Sequence, residues 1–191
     1  MMELEKSFEK SLGKSWSNQQ NIGLTAYLKK MKGEAREKDR IDYLDSFVSA
    51  TGGLIAIIII SFIAVYLGYP MALAPLGASC VIVFGAHKSP LSQPRNVIGG
   101  HIISTISALI IWSFFGKSLF IIGLVLAIVL IIMTFTKTVH PPAAASALVS
   151  INSQAGWGFL IPIVIGTLLL VLISMIYNNL FQTRQYPKHW L

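Results

Sequence analysis

Apolar residues gather into six runs after position 46, and the runs alternate in length. Four of them, 47–68, 97–115, 118–135 and 157–177, would be ~33, ~28, ~27 and ~31 Å long as helices, enough to cross a hydrocarbon core of about 30 Å. Two others, 76–86 and 143–151, reach only about half that thickness. Each follows a pair of prolines, Pro70 and Pro75 in one case, Pro141 and Pro142 in the other. The order is long, short, long, then long, short, long again. The expected fold class is therefore all-α: a polytopic membrane helical bundle, an inverted repeat of two three-segment halves, each with a short proline-broken half-helix.

Proline has no N–H, fixes its own φ and disfavours helical geometry in the residue before it, yet suits the first turn of a helix. Residues 69–75 and 137–141 are thus expected to be extended. Helices should begin near Pro75 or Leu76 and near Pro141 or Pro142. The segments "PLGASCVIV" from Pro75 and "PPAAASALV" from Pro141 align loosely.

Charge sets the topology. Nine Lys and Arg residues precede position 46, which places the N-terminal region in the cytoplasm. With six crossings, Lys88, Arg95, Lys137, Arg184 and Lys188 all lie inside and only Lys117 outside. With four crossings and two re-entrant stubs, Lys88, Arg95 and Lys137 move outside, so the positive-inside rule favours six. Three crossings per half is an odd number, which inverts one half relative to the other.

The domain division expected is 1–45 as a cytoplasmic polar region, 46–178 as the membrane domain and 179–191 as a cytoplasmic tail. Leu4, Phe8, Leu12 and Trp16 recur every four residues, the spacing of a short amphipathic helix on the membrane surface. "EAREKDRIDYLDSF" reads as a solvated helix leading into the first span. No apolar signal segment is expected in these first 45 residues.

Composition adds one decisive feature. The chain is 54% hydrophobic and 12% charged, and all eight acidic residues lie at or before Asp45. From Ser46 onward there is no carboxylate side chain, while six Lys and Arg residues remain. Nucleic acid is excluded as a partner: the N-terminal lysines are interleaved with acids and no binding motif accompanies them. The lipid bilayer is the expected partner. Cys80, the one cysteine, forms no intrachain disulfide and reads as a packing residue.

Two helix starts deep in a bilayer would present unpaired N–H groups and the positive end of each dipole, a setting for a small anion. The candidate binding residues are Pro75, Gly77, Ala78 and Ser79 from the first short run, and Pro141, Pro142, Ala143, Ala144 and Ser146 from the second. Their small side chains would admit a ligand to the backbone, although small residues serve close helix packing equally well. His101 and His140 join them as proton carriers or hydrogen-bond donors. Arg95 and Asn96 are candidates for the cytoplasmic mouth of the path. A path without carboxylates favours anions over cations. No cofactor and no metal site are expected.

At this point "APLGASCVIVFGAHKSPLSQPRNVIGGHIIS" followed by "TVHPPAAASAL" resembles the HPP family of integral membrane proteins, named for the motif at His140-Pro141-Pro142. The likeness covers roughly 44–178. Cyanobacterial and chloroplast members look like nitrite transporters, so the resemblance implies transport of a small monovalent anion such as nitrite. The family is usually described with four spans, against six here. Some members carry C-terminal CBS domains, and none is expected here. The expected setting is a bacterial or archaeal plasma membrane with both termini cytoplasmic, and the small-residue faces suit a homo-oligomer. A channel for a small neutral solute is the alternative. An intramembrane serine enzyme is a third reading, weakened because no carboxylate can orient a histidine; the protein is not expected to be an enzyme.

Overall fold

The computed structural model describes residues 24–32 and 42–190, in two units. Among its described residues the first contains the helix α1 (Leu24–Lys32), with Lys29, Lys30 and Lys32 in its last turn. The amphipathic helix expected from Leu4 to Trp16, and the "EAREKDR" stretch, lie outside the described residues.

The second unit begins at Asp42 and holds six helices: α2 (Tyr43–Tyr66), α3 (Leu73–Gly85), α4 (Pro94–Phe115), α5 (Leu119–Phe135), α6 (Pro141–Asn152) and α7 (Leu160–Asn178). Among the described residues there are no strands, so the all-α class holds. The lengths, 24, 13, 22 and then 17, 12, 19 residues, repeat the long-short-long order. Three helical segments, Tyr43–Tyr66, Pro94–Phe115 and Trp157–Asn178, are long and apolar enough to cross a membrane. The α5 helix, expected among the long ones, is shorter at 17 residues.

Local chemistry fixes the helix ends. The Asp42 carboxylate accepts from the N–H groups of Leu44 and Asp45, and the Ser118 hydroxyl accepts from Ile121 N–H, so α2 and α5 are capped at their N-termini. The α2 and α5 helices end alike. Tyr69 N–H returns to Ala64 O and Thr138 N–H to Met133 O, around a left-handed residue: Gly68 (φ 79) in one case, Lys137 (φ 55) in the other.

Beyond these two endings the chain takes different paths. After Gly68 it enters a 3-10 turn at Pro70–Ala72 and passes directly into α3 at Leu73. The stretch 69–75 is therefore not extended, and Pro75 sits inside the first turn of α3, where its missing N–H is harmless. After Lys137, by contrast, the chain stays non-helical through His140 (φ −139, ψ 102), and α6 starts at Pro141.

Side-chain contacts sort the helix ends into two groups. At one end Ser49 Oγ donates to Phe84 O, Arg184 pairs with Asp45, Tyr186 OH donates to Ser92 O, and Arg95 donates to Thr136 O. These join the start of α2, the end of α3, the start of α4, the end of α5 and the end of α7. At the other end Tyr69 packs on Phe159, Trp112 donates to Ala155 O, and Lys117 donates to Asn152 O. Successive helices thus run in opposite directions, including the two short ones. Arg95, Lys137, Arg184 and Lys188 share the first end and Lys117 takes the second, the distribution a six-pass arrangement requires.

Two apolar clusters form the core. One joins α2, α3 and α7 through Ala56, Ile60, Leu76, Phe84, Ile163 and Leu170; the other joins α4, α5 and α6 through Ala108, Val125, Val129, Ala143 and Ala147. Small residues allow close approach: a Cβ on Gly100 would lie 2.8 Å from Thr138 O and 3.0 Å from His140 Cβ. Residues 179–190 are no free tail. Tyr186 is fully buried, and Arg184, 5% exposed, bonds Asp45, Ser49 and Asn178.

Candidate functional site

Where the short helices pass each other, four buried polar side chains meet. Ser79 of α3, His101 of α4, His140 before α6 and Ser146 of α6 are all 0% exposed. Burying such groups is costly unless they are hydrogen-bonded, and here they bond one another. Ser79 Oγ lies 2.7 Å from His101 Nε2 and 2.9 Å from His140 Nε2. His101 Nδ1 lies 2.7 Å from Ser146 Oγ. His140 Nδ1 lies 2.7 Å from Leu91 O. The imidazole centroids are 5.2 Å apart.

Counting donors assigns the protons. A carbonyl only accepts, so His140 Nδ1–H donates to Leu91 O. In the neutral ring, Nε2 is then bare and accepts from Ser79 O–H. Ser79 Oγ accepts in turn from His101 Nε2–H, and His101 Nδ1 accepts from Ser146 O–H. Every polar atom of the chain Ser146–His101–Ser79–His140–Leu91 is satisfied in this one pattern. The competing acceptor for Ser79, Pro75 O at 3.0 Å, would leave His140 Nε2 without a donor.

The sequence positions that matter are now distinct. Ser79 follows Pro75 by four residues and Ser146 follows Pro142 by four. The register that superposes the two serines pairs Pro75 with Pro142 rather than with Pro141. Each serine sits about one turn beyond its matched proline, on the face toward His101.

The remaining candidates fall elsewhere. The helix starts do not meet tip to tip: the start of α3 lies with Phe159, and the start of α6 lies with Leu91, at the opposite end. Several of their backbone donors are also absent or taken. Pro141 and Pro142 have no N–H, and Ala143 N–H is held by His140 O; Ala72 N–H and Leu73 N–H are held by Tyr69 O and Pro70 O. The groups that meet at the crossing are the serine and histidine side chains, which the sequence offered alongside the backbone N–H groups. Gly77 turns toward Ile57 and, with Cys80, lines an apolar groove of about 410 Å³ beside α2. Ala78 and Pro141 are exposed, Ala144 is half-buried, Pro142 is buried, and Ala143 packs against Gly100.

Arg95 and Asn96 position the extended strand-like segment before α6. Arg95 Nη2 donates to Thr136 O at 2.9 Å and Asn96 Nδ2 to Val139 O at 2.8 Å. Together with Lys137 and His189 they line a cleft of about 230 Å³ beside that segment. Four further participants were not singled out by their sequence. They are Gly99 and Gly100, which let α4 press on residues 138–143, Leu91, whose carbonyl orients His140, and Thr105. Thr105 lies one turn beyond His101, fully buried, and its hydroxyl has no partner. The glycine pair immediately before a histidine was the available signal for the first two; nothing local marks Leu91.

Alternating helices, three of them long enough to span, around a buried histidine–serine cluster define an integral membrane protein of the polytopic helical class. The chain belongs to the HPP family: the family described as "HPP, transmembrane region" matches residues 38–187. Two Dictyostelium discoideum proteins, each described as a transmembrane protein, are similar to it. One is 34% identical over 86% of this chain and 57% of its own length, the other 38% identical over 59% and 43%. The chain thus spans about half the length of the curated relatives it matches. No solved structure matches it.

Proposed function

We propose that this protein transports a small monovalent anion, with nitrite the foremost candidate, through an inverted repeat of two three-helix halves. The observation that carries this reading is the buried Ser79–His101–His140–Ser146 cluster in a region of 146 residues without a carboxylate side chain. Imidazole N–H and hydroxyl groups can replace the hydration of a small anion. The nearby carboxylate that would repel it is missing. Thr105, with an unpaired buried hydroxyl one turn from His101, offers a further donor. Arg95 and Lys137 give the adjoining cleft a positive face that attracts anions from water. Complete burial of all four residues suits an occluded state between two openings.

Two other readings have a specific basis. The cluster carries no formal charge in its neutral form, which also suits a small neutral solute. Ser79 beside His140, with Leu91 O as the orienting group, has the geometry of a nucleophile and its base. Its fully buried hydroxyl argues for transport instead.

Chemical assay of nitrite uptake by proteoliposomes of the full chain tests the proposal. Saturable uptake above protein-free vesicles, strongly reduced in His140→Ala, is expected. Passage of urea or glycerol with nitrite left behind would favour the neutral-solute reading. Labelling of Ser79 by a serine-directed inhibitor would favour the enzyme.

A further inference from the structure

We propose that the chain Ser146–His101–Ser79–His140–Leu91 is a proton relay that couples anion movement to one proton, an inference that rests on the transport reading. The geometry is continuous: two hydrogen bonds of 2.7 and 2.9 Å link the two imidazoles through Ser79, a third of 2.7 Å adds Ser146 at one end, and a fourth pins the other end on a carbonyl. In the resting form the five-member chain holds four side-chain protons. They are Ser146 O–H, His101 Nε2–H, Ser79 O–H and His140 Nδ1–H.

Leu91 O gives this chain a fixed polarity. Because it can only accept, His140 Nδ1 keeps its proton, and reversing the other bonds requires one proton more. A proton delivered by hydronium to Ser146 Oγ leaves a water behind. The Ser146 proton passes to His101 Nδ1, the His101 Nε2 proton to Ser79 Oγ, and the Ser79 proton to His140 Nε2. The product holds five protons, with His140 as imidazolium donating to Ser79 and Leu91. Only O–H and N–H bonds are made and broken, and the charge rises by one.

That charge has no protein counterion. The titratable side chains on the packed elements are Tyr43, Asp45 and Tyr66 of α2, Cys80 of α3, His87 and Lys88 of the α3–α4 connection, Arg95 of α4, Lys137 before α6, Tyr177 of α7, and Arg184, Tyr186, Lys188 and His189 after it; α5 and α6 carry none, and the one carboxylate among them, Asp45, is held by Arg184. None of them hydrogen-bonds either imidazole. A buried imidazolium without a partner is expensive, so a small anion bound at the cluster is its natural counterion. Proton and anion then favour one another's binding, which is a coupling between two ligands of one site. One anion and one proton enter together; on release the shifts run backwards from His140 through Ser79 and His101, Ser146 Oγ returns the proton to water as hydronium, and the net charge moved is zero.

The test uses the full chain in proteoliposomes with a pH dye inside and an inward nitrite gradient. The expected result is lumen acidification above protein-free vesicles at a fixed ratio near ~1 proton per nitrite, driven by a pH gradient and indifferent to a potassium–valinomycin potential. Ser79→Ala should cut proton flux by ~10-fold or more, and Ser79→Thr, which keeps the hydroxyl, should restore much of it. Protein-dependent nitrite uptake that follows the potential and moves no protons overturns the relay and leaves transport standing. Absence of any protein-dependent uptake overturns the transport reading and the relay with it. A readout on the unmutated protein keeps the inference open to refutation whatever the variants do. Nitrogen-15 NMR should find His140 protonated at Nδ1 and His101 at Nε2, and the opposite tautomers would overturn it.

Discussion

The two short helices carry matching serines one turn after matching prolines, but the chain reaches them by different routes. Before α3 a 3-10 turn leads straight in, and no titratable side chain stands at its first residue. Before α6 the backbone stays extended, so that His140 occupies the N-cap position and its ring turns back to Ser79 and Leu91. The likeness in length is shared by both halves; the chemistry is supplied by one approach segment and by His101, which stands between the serines. A repeated order of helix lengths therefore does not carry a repeated site. The asymmetry resides in the residues that precede each helix rather than in the helices.

The largest expected contrast is between the serines. Ser79 touches both imidazoles and Ser146 only one. Ser79→Ala should lower nitrite uptake by ~100-fold, about 2.7 kcal/mol, and Ser146→Ala by ~10-fold. Equal losses in the uptake assay would remove the distinction.

Next comes a pair of glycines. A methyl on Gly100 meets the backbone oxygen of Thr138 at 2.8 Å, while one on Gly166 meets the flexible end of Leu76. Gly100→Ala should destabilise by ~1–3 kcal/mol and displace His140, with Gly166→Ala costing less. Thermal unfolding in detergent ranks them, and a reversed order would place the tight crossing at the wrong half.

The helix ends give a smaller effect of opposite sign. Gly68 and Lys137 both hold left-handed backbone, so Gly68→Ala should cost ~1 kcal/mol and Lys137→Gly should gain ~1 kcal/mol in stability. Lys137→Gly should also weaken anion recruitment at the cleft, read as a raised KM for uptake.

The smallest is a pH effect confined to the connection after α3. His87 is buried with an unpartnered Nε2, and burial, then the nearby Arg184 guanidinium, push its pKa below the ordinary 6.5. The unfolded chain thus takes up this proton before the folded one. Stability from this group is complete above about pH 6.5 and is lost as pH falls below that. The melting temperature should decline between pH 7 and 5.5 less steeply in His87→Gln than in the unmutated protein; identical slopes would show that His87 does not contribute.

Much of this was legible along the chain. Runs of apolar residues, their lengths and the flanking prolines gave six helices in their observed order, because helix length and bilayer thickness are both local quantities. The αL ending at Gly68 is marked by its residue type; that at Lys137 is not, because lysine carries no such signal. His101, His140, Ser79 and Ser146 stood out as polar residues in apolar surroundings. The helix expected to start near Pro75 or Leu76 begins two residues earlier, at Leu73, and 69–75 is not extended, since proline tolerates any position of a first turn. Arg184 was assigned to a cytoplasmic tail, and its burial against Asp45 could not be seen from positions 139 residues apart.

By itself the sequence determined a membrane bundle of alternating long and short helices with no carboxylate side chain after Asp45, because composition, hydropathic length and proline positions act through the immediate neighbourhood of each residue. Only the tertiary structure decided that the short helices pass side by side rather than tip to tip, and that four polar residues from three helices and one approach segment share a single chain of hydrogen bonds. Hydrogen bonds reach about 3 Å, and which groups come that close depends on how Gly99 and Gly100 let α4 settle against residues 138–143.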